Sequence, residues 1–298
     1  MPPPSHRPIA SATATRDALD GAVTAIAAAG CDTPRLDAEL LLAAALGVKR
    51  ERLFVDSELA VSGPTVRTFQ DFVRRRSVER EPVAYILGKR HFRHLELAVD
   101  RRALIPRPET ELLVEVGLML PLEARVLDVG TGSGAVALAL KHERPDLCVS
   151  GSDLNEKALE LARANGQRLE LDVCWLRADL LDGASEGPLE TSERVPDEFD
   201  AVLSNPPYVA ERERATLAPE ILRHEPSDAL FAGRDGLDTI RRLIEQAVAR
   251  PRVHLLALEV GASQAGAVGE LMRAAGFPNV RAERDLAGIE RVVVGERA

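Results

Sequence analysis

Four consecutive residues, Asn205-Pro206-Pro207-Tyr208, combine types that can do specific chemistry. They follow an apolar run, Phe199-Asp200-Ala201-Val202-Leu203-Ser204, that reads as a buried strand. The side-chain carbonyl of Asn205 can accept from an NH2 group, and the main-chain carbonyl of Pro206 supplies a second acceptor. The two prolines fix φ and remove donors, so the turn is rigid and rich in acceptors. Tyr208 can stack on a planar group or cover it from water. This suits reaction at a planar amide or amidine nitrogen that is aimed rather than deprotonated.

A second constellation lies upstream. Val126-Leu127-Asp128-Val129 reads as a strand running into Gly130-Thr131-Gly132-Ser133-Gly134 and then a helix. Glycines there let a ligand approach main-chain N–H groups at the helix start. Asp153 ends the next strand, where a carboxylate can hold both ribose hydroxyls of a nucleoside. With Ala135 the loop also fits a dinucleotide fingerprint, so a nicotinamide cofactor competes. Three features favour S-adenosylmethionine. Asp128 can engage a methionine ammonium but would repel a pyrophosphate. Asp179, in Ala178-Asp179-Leu180, can accept from the adenine amine. Asn205 follows the fourth strand, beside the place of a transferred methyl.

These residues need a scaffold of successive strand ends. From residue 125 onward strand-like and helix-like segments alternate, which predicts an α/β domain with a mostly parallel sheet. Expected strands are Leu147 to Ser150, Val173 to Leu176, Phe199 to Ser204 and Leu255 to Val260, with helices Ala135 to Lys141, Glu156 to Ala164 and Leu237 to Ala249. Asn279 to Glu283 and Glu290 to Val294 are expected to close the chain as strands. The preceding region is helical: Leu19, Val23 and Ile26 share a face, as do Leu36, Leu40 and Ala44, and Val66, Phe69 and Val73. Arg74-Arg75-Arg76 is expected on its solvated face. The predicted divisions are a tail at 1–15, a small N-terminal helical domain at 16–84, a linker hairpin at 85–104 and a Rossmann-like domain at 105–298. In the last, Ile105-Pro106-Arg107-Pro108-Glu109-Thr110-Glu111 forms an extended lead into a helix through Leu112, Val116 and Met119. Residues 182–198 are polar and read as a surface loop.

The 298 residues carry a formal net charge of −9, which argues against a nonspecific nucleic-acid binder. Cys31, Cys148 and Cys174 have no paired spacing and are expected as buried thiols, with neither disulfide nor zinc site. His91 and His94 lack further ligands, so no metal is predicted. The N-terminus lacks a signal-peptide pattern, and no apolar stretch reaches the roughly 18 residues of a membrane span. The expectation is a cytoplasmic protein that uses no membrane and is a monomer.

Taken in order, these motifs resemble the release factor glutamine methyltransferases, the PrmC/HemK family. The likeness runs from about residue 16 to 297 and includes Glu81-Pro82-Val83-Ala84-Tyr85-Ile86-Leu87-Gly88 and the segment from Leu104 to Glu111. Glu225-Pro226-Ser227-Asp228-Ala229-Leu230, Asp235-Gly236-Leu237-Asp238, Leu258-Glu259-Val260-Gly261 with Gln264, and Asp285 to Arg291 continue it. The resemblance implies methyl transfer from S-adenosylmethionine to the glutamine amide nitrogen in the Gly-Gly-Gln motif of class I peptide chain release factors. It assigns Asp128, Gly130, Thr131, Gly132, Ser133, Gly134, Asp153, Asp179, Leu180 and Asn205 to the cofactor. It assigns Asn205, Pro206, Pro207 and Tyr208 to the substrate amide, with the segment around Arg107 to Thr110, Glu109 included, bordering the pocket. Of these, Asn205, Pro206 and Tyr208 are the expected catalytic residues, and the helical domain helps recognise the release factor. Departures are Leu180 where some relatives have an aromatic, Arg250-Pro251-Arg252 in place of a glycine turn, the long loop at 182–198, and a first 15 residues that match nothing. Rival readings are an adenine-N6 DNA or RNA methyltransferase, a non-catalytic cofactor-binding partner of translation, and an NAD dehydrogenase.

Overall fold

The structure is a computed structural model that describes residues 13–56, 59–183 and 199–298. The chain divides into two compact units, one formed by the described residues up to Gly88 with Pro219–His224, the other by Lys89–Ala218 with Glu225–Ala298.

In the first unit a short strand, β1 (Thr13–Ala14), precedes α1 (Thr15–Ala28) and α2 (Pro34–Leu46). Next come α3 (Arg52–Val55), β2 (Ala60–Val61), α4 (Pro64–Ser77) and α5 (Val83–Leu87). Strand β1 pairs antiparallel with β2, so the chain is ordered two residues before the expected end of the tail. Residues 1–12 of that tail lie outside the described residues. Pro34 starts α2 with its φ already helical, and Gly47 ends it in the left-handed region, its N–H donating to the last turn. Leu19, Ile26, Leu41, Leu42 and Phe69 form the core.

Two expectations fail here for one reason. The buried face of α2 is Asp37, Ala38, Leu41 and Leu42, while Leu36 and Ala44 face solvent. Arg76, expected in water, is 6% exposed and donates through Nε to Asp37 Oδ2 at 2.6 Å and through Nη1 to Glu220 Oε1 at 3.0 Å. Arg80 makes two further bonds to Glu220. A buried ion cluster thus takes a place on the inner face of α2 beside Ala38, Leu41 and Leu42, which apolar periodicity cannot reveal.

The second unit opens with the hairpin β3 (Lys89–Phe92) and β4 (Leu95–Ala98). The expected hairpin start, Tyr85 to Gly88, is instead helix α5 and its left-handed glycine cap. Asn165 clamps the hairpin by bonding both the N–H and the C=O of Ala98. Helix α6 (Glu111–Leu118) buries Leu113, Val116 and Gly117, and stops one residue short of the expected Met119, which is 83% exposed.

The alternation continues through β5 (Arg125–Val129), α7 (Ala135–Glu143), β6 (Cys148–Asp153), α8 (Glu156–Leu169), β7 (Cys174–Asp179) and β8 (Asp182–Gly183). It ends with β9 (Ala201–Ser204), α9 (Pro219–His224, part of the first unit), α10 (Asp238–Val248), β10 (Leu255–Glu259), α11 (Ala265–Ala275), β11 (Asn279–Arg284) and β12 (Glu290–Glu296). The sheet order is β11-β12-β10-β9-β5-β6-β7, with the two-residue β8 folded back on β7. Strands β10, β9, β5, β6 and β7 are mutually parallel, and β12 runs antiparallel between β10 and β11. Every residue of β9 and β10 is buried, which requires cover on both faces of the sheet.

The remaining expectations divide. Helix α11 had no counterpart in the sequence reading, and residues 184–198 of the expected surface loop lie outside the described residues. Cys31 is buried, but Cys148 and Cys174 sit at strand starts and are exposed. No group of three or more potential metal ligands occurs among the described residues.

Candidate active site

Strand β5 has β6 on one side and β9 on the other, so the crossovers after β5 (to β6) and after β9 (to β10) leave in opposite directions and open a crevice at the strands' C-terminal ends. A cavity of about 420 Å³ lies there, within the second unit. Its floor is the loop after β5. Gly130, Gly132 and Gly134 all have positive φ, alternating with L-residues that do not. A Cβ on Gly134 would stand 2.9 Å from the Trp175 ring, so this glycine also lets α7 approach β7.

Carboxylates brace the loop. Asp128 Oδ2 accepts from Thr131 Oγ1 at 2.6 Å and from the Ala137 N–H at 3.2 Å. Asp153 Oδ2 accepts from the Gly132 N–H at 3.0 Å, and its Oδ1 from the Asn155 N–H at 2.9 Å. Burial outweighs both bonds at Asp128 and pushes its carboxyl up to about 7. Burial raises Asp153 as well. Asp179 accepts from Arg242 Nη2 at 2.8 Å in an exposed pair, a contact a ligand donor can replace at small cost. Leu180 adopts a left-handed φ of 59° and lines the cavity. Of the expected cofactor residues, Asp128, Gly130, Thr131, Gly132, Ser133, Asp153, Asp179, Leu180 and Asn205 line the cavity, and Gly134 lies at the helix start just behind it.

The tetrapeptide sits at the end of β9, where Ser204 Oγ donates to Val129 O at 2.7 Å and locks β9 to β5. Asn205 and Pro207 reach the cavity, while Pro206 is buried behind them. Asn205 Nδ2 donates to Thr110 Oγ1 at 3.1 Å, and Thr110 Oγ1 donates to Glu259 Oε2 at 2.6 Å. The Tyr208 hydroxyl donates to Glu259 Oε1 at 3.3 Å, so the ring is turned to Glu259 and does not line the cavity. Burial first, then the Glu259 charge, raises the Tyr208 phenol. Burial pushes Glu259 up to about 7. The Tyr208 carbonyl accepts from Gln264 Nε2 at 2.9 Å, and Gly236 packs so closely that a Cβ there would lie 2.3 Å from that oxygen.

The structure places Arg107 and Glu109 outside the cavity wall, which is taken by Arg102 through Pro106 and by Thr110. Arg107 instead donates to Glu225 Oε1 at 2.6 Å, a carboxylate that also accepts from the Ile105 N–H at 3.4 Å. Sequence reasoning gave no role to Glu259, Leu154 or Arg242, and placed Thr110 only at the end of the segment bordering the pocket. One signal was available: Glu259 is the lone carboxylate in the otherwise apolar run Leu255 to Val260.

Comparison with known proteins bears on what this geometry serves. The family model "PrmC N-terminal domain" matches residues 17–88, and "Methyltransferase small domain" matches residues 108–233. The release factor glutamine methyltransferase of Caulobacter vibrioides is 40% identical over 272 residues, which cover 90% of this chain and 91% of that protein. The protein of the same name from Pseudomonas aeruginosa is 44% identical over 276 residues, 90% of this chain and 95% of its own. The chain belongs to the release factor glutamine methyltransferase family. Among solved structures, the hMettl16 catalytic domain in complex with MAT2A 3'UTR hairpin 6 aligns with a TM-score of 0.53 at 15% identity, over 79% of this chain and 82% of that one. That likeness shows the shared fold alone.

Release factor glutamine methyltransferases take their methyl group from S-adenosylmethionine, and membership sets the nicotinamide reading aside. The residues present fit that donor. A glycine floor leaves room for close backbone approach, and the buried carboxylate of Asp128 could hold the methionine ammonium. Asp153 and Asp179 could accept from ribose hydroxyls and the adenine amine, with Leu154 and Leu180 among the apolar lining.

Proposed function

We infer that this protein transfers a methyl group from S-adenosylmethionine to the side-chain amide nitrogen of the glutamine in the Gly-Gly-Gln motif of class I release factors. The observation that carries the reading is Asn205 lining the same cavity as the glycine loop, Asp128 and Asp153. S-adenosylmethionine supplies a sulfonium-bound methyl that is electrophilic enough for an amide nitrogen to take it as the carbon–sulfur bond breaks. An amide nitrogen is a poor nucleophile because its lone pair is delocalised into the carbonyl. The protein's part is therefore positioning and polarisation. Asn205 Oδ1 and the Pro206 carbonyl accept the two amide hydrogens, and Tyr208 holds the turn through Glu259 and Gln264. The surplus proton leaves the nitrogen after transfer, so no strong base is needed.

Asn205 and Pro206 are the proposed catalytic residues, Tyr208 is a positioning residue that holds the turn, and Pro207 lines the substrate side. Arg107 and Glu109 shape the bordering segment. The N-terminal helical unit is the proposed recognition element for the release factor, and the protein acts in the cytoplasm as a monomer, without nucleic acid or membrane. No helix of the described residues is long and apolar enough to cross a membrane. Incubation with labelled S-adenosylmethionine and, separately, a class I release factor, its Gln-to-Ala version and DNA tests the reading. Label on the intact release factor alone is expected. Label on DNA alone, or on both release factors equally, would overturn it.

A further inference from the structure

Thr110 and Glu259 have no part in orienting Asn205 in the chemistry above, and both are buried, at 4% and 1% exposure. They connect to Asn205 in one line: Asn205 Nδ2 to Thr110 Oγ1, and Thr110 Oγ1 to Glu259 Oε2. An ionised carboxylate can only accept. The single hydroxyl proton of Thr110 is therefore committed to Glu259, and only lone pairs of Oγ1 remain for Asn205. That forces the NH2 end of the Asn205 amide toward Thr110 and leaves its Oδ1 for the cavity. With the chain reversed, Asn205 would present NH2 to a substrate NH2, two donors facing each other.

We propose that Thr110 and Glu259 are positioning residues that fix the polarity of the Asn205 amide, so that the site accepts an NH2-bearing group and rejects one that offers only acceptors. This rests on the reading of Asn205 as the amide grip. The same carboxylate also takes the Tyr208 hydroxyl on its other oxygen, so one buried charge orders both ends of the tetrapeptide. Glu259 is faced by Thr110 and Tyr208, by the nearby carboxylate of Glu109, which raises it, and by Arg291 on β12, which lowers it. Arg107 acts on Tyr208 in turn. A proton on Glu259 makes it a donor and permits the reversed chain, so the transfer rate falls as acid titrates this group.

The test compares Thr110→Val, Thr110→Ser, Glu259→Gln and Asn205→Ala in the full-length protein with an intact release factor. Cofactor Kd and melting temperature are recorded for each variant. Thr110→Val keeps the side chain's shape without the hydroxyl, and about a 30-fold or greater loss of kcat is expected with cofactor Kd within about 3-fold. Thr110→Ser restores the hydroxyl and at least a tenth of the wild-type kcat. The wild-type kcat shows an acid limb that Glu259→Gln lacks. Wild-type kcat in Thr110→Val, a Thr110→Ser variant no faster than Thr110→Val, or an unchanged acid limb in Glu259→Gln would overturn the proposal. The Asn205→Ala arm separates the two levels. A slow Asn205→Ala beside a fast Thr110→Val removes only the polarity proposal, whereas a fast Asn205→Ala removes the amide grip itself.

Discussion

Asn205 contributes one carbonyl to the cavity, and Asn205→Ala takes away one of the two acceptors that aim the substrate nitrogen. A loss of about 10²–10³-fold in kcat is expected, the range seen when one preorganised hydrogen bond to a reacting group is removed. Cofactor Kd should change by less than about 5-fold, as equilibrium binding measurements will show. Asp128 makes a prediction about protons. In the free protein its carboxyl is pushed up to about 7 by burial, so at pH 6.5 much of it is protonated. An ammonium group beside it favours the carboxylate, so cofactor binding should release protons and tighten as pH rises toward 7. Calorimetry at pH 6.5 in two buffers of different ionisation enthalpy measures that release. Asp128→Asn should abolish it and weaken the cofactor. At this scale the sequence was legible wherever a residue stood at a strand end, as with Asp128, Asp153 and Asn205. The roles of Thr110 and Glu259 were not legible, because their partners lie 51 to 149 residues away and only the fold joins them.

The elements set how tightly the tetrapeptide is held. Gly236 has a φ of 79°, and its missing Cβ admits the Tyr208 carbonyl. Gly236→Ala therefore meets a backbone atom that cannot step aside without moving the turn. The expected result is a destabilisation of about 1–3 kcal/mol with a larger fall in kcat than in cofactor affinity, measured by denaturant melts and kinetics. Strand identities were readable from apolar runs because the parallel strands are covered on both faces, so β9 and β10 show no polar alternation. Their ends were less readable: β7 runs three residues past the expected stop at Leu176, into the polar Asp179. The ladder there is continued by backbone pairing, which composition does not report.

Across the whole molecule, the first unit depends on charge as well as on apolar packing. Asp37→Ala would leave the Nε of Arg76, whose side chain is 7% exposed, without its partner while Glu220 still pairs the guanidinium, and should cost about 1–3 kcal/mol in thermal or denaturant unfolding of that unit. Cofactor binding, which uses residues of the second unit alone, should persist at temperatures where the first unit is intact. The two-unit plan was visible as a helical stretch followed by alternating strands and helices. The return of Pro219–His224 to the first unit was not, since it depends on Glu220 meeting Arg76 and Arg80 across more than a hundred residues of chain. The central claim is that Asn205 aims a glutamine amide of a release factor at the methyl donor. Peptide mass mapping of a class I release factor after incubation with S-adenosylmethionine and either the wild-type protein or Asn205→Ala tests it most directly. The account predicts a gain of one methyl on the Gly-Gly-Gln glutamine with the wild type, and almost none with the folded, cofactor-binding variant. A methyl elsewhere with the wild type, or equal modification by both proteins, would contradict it.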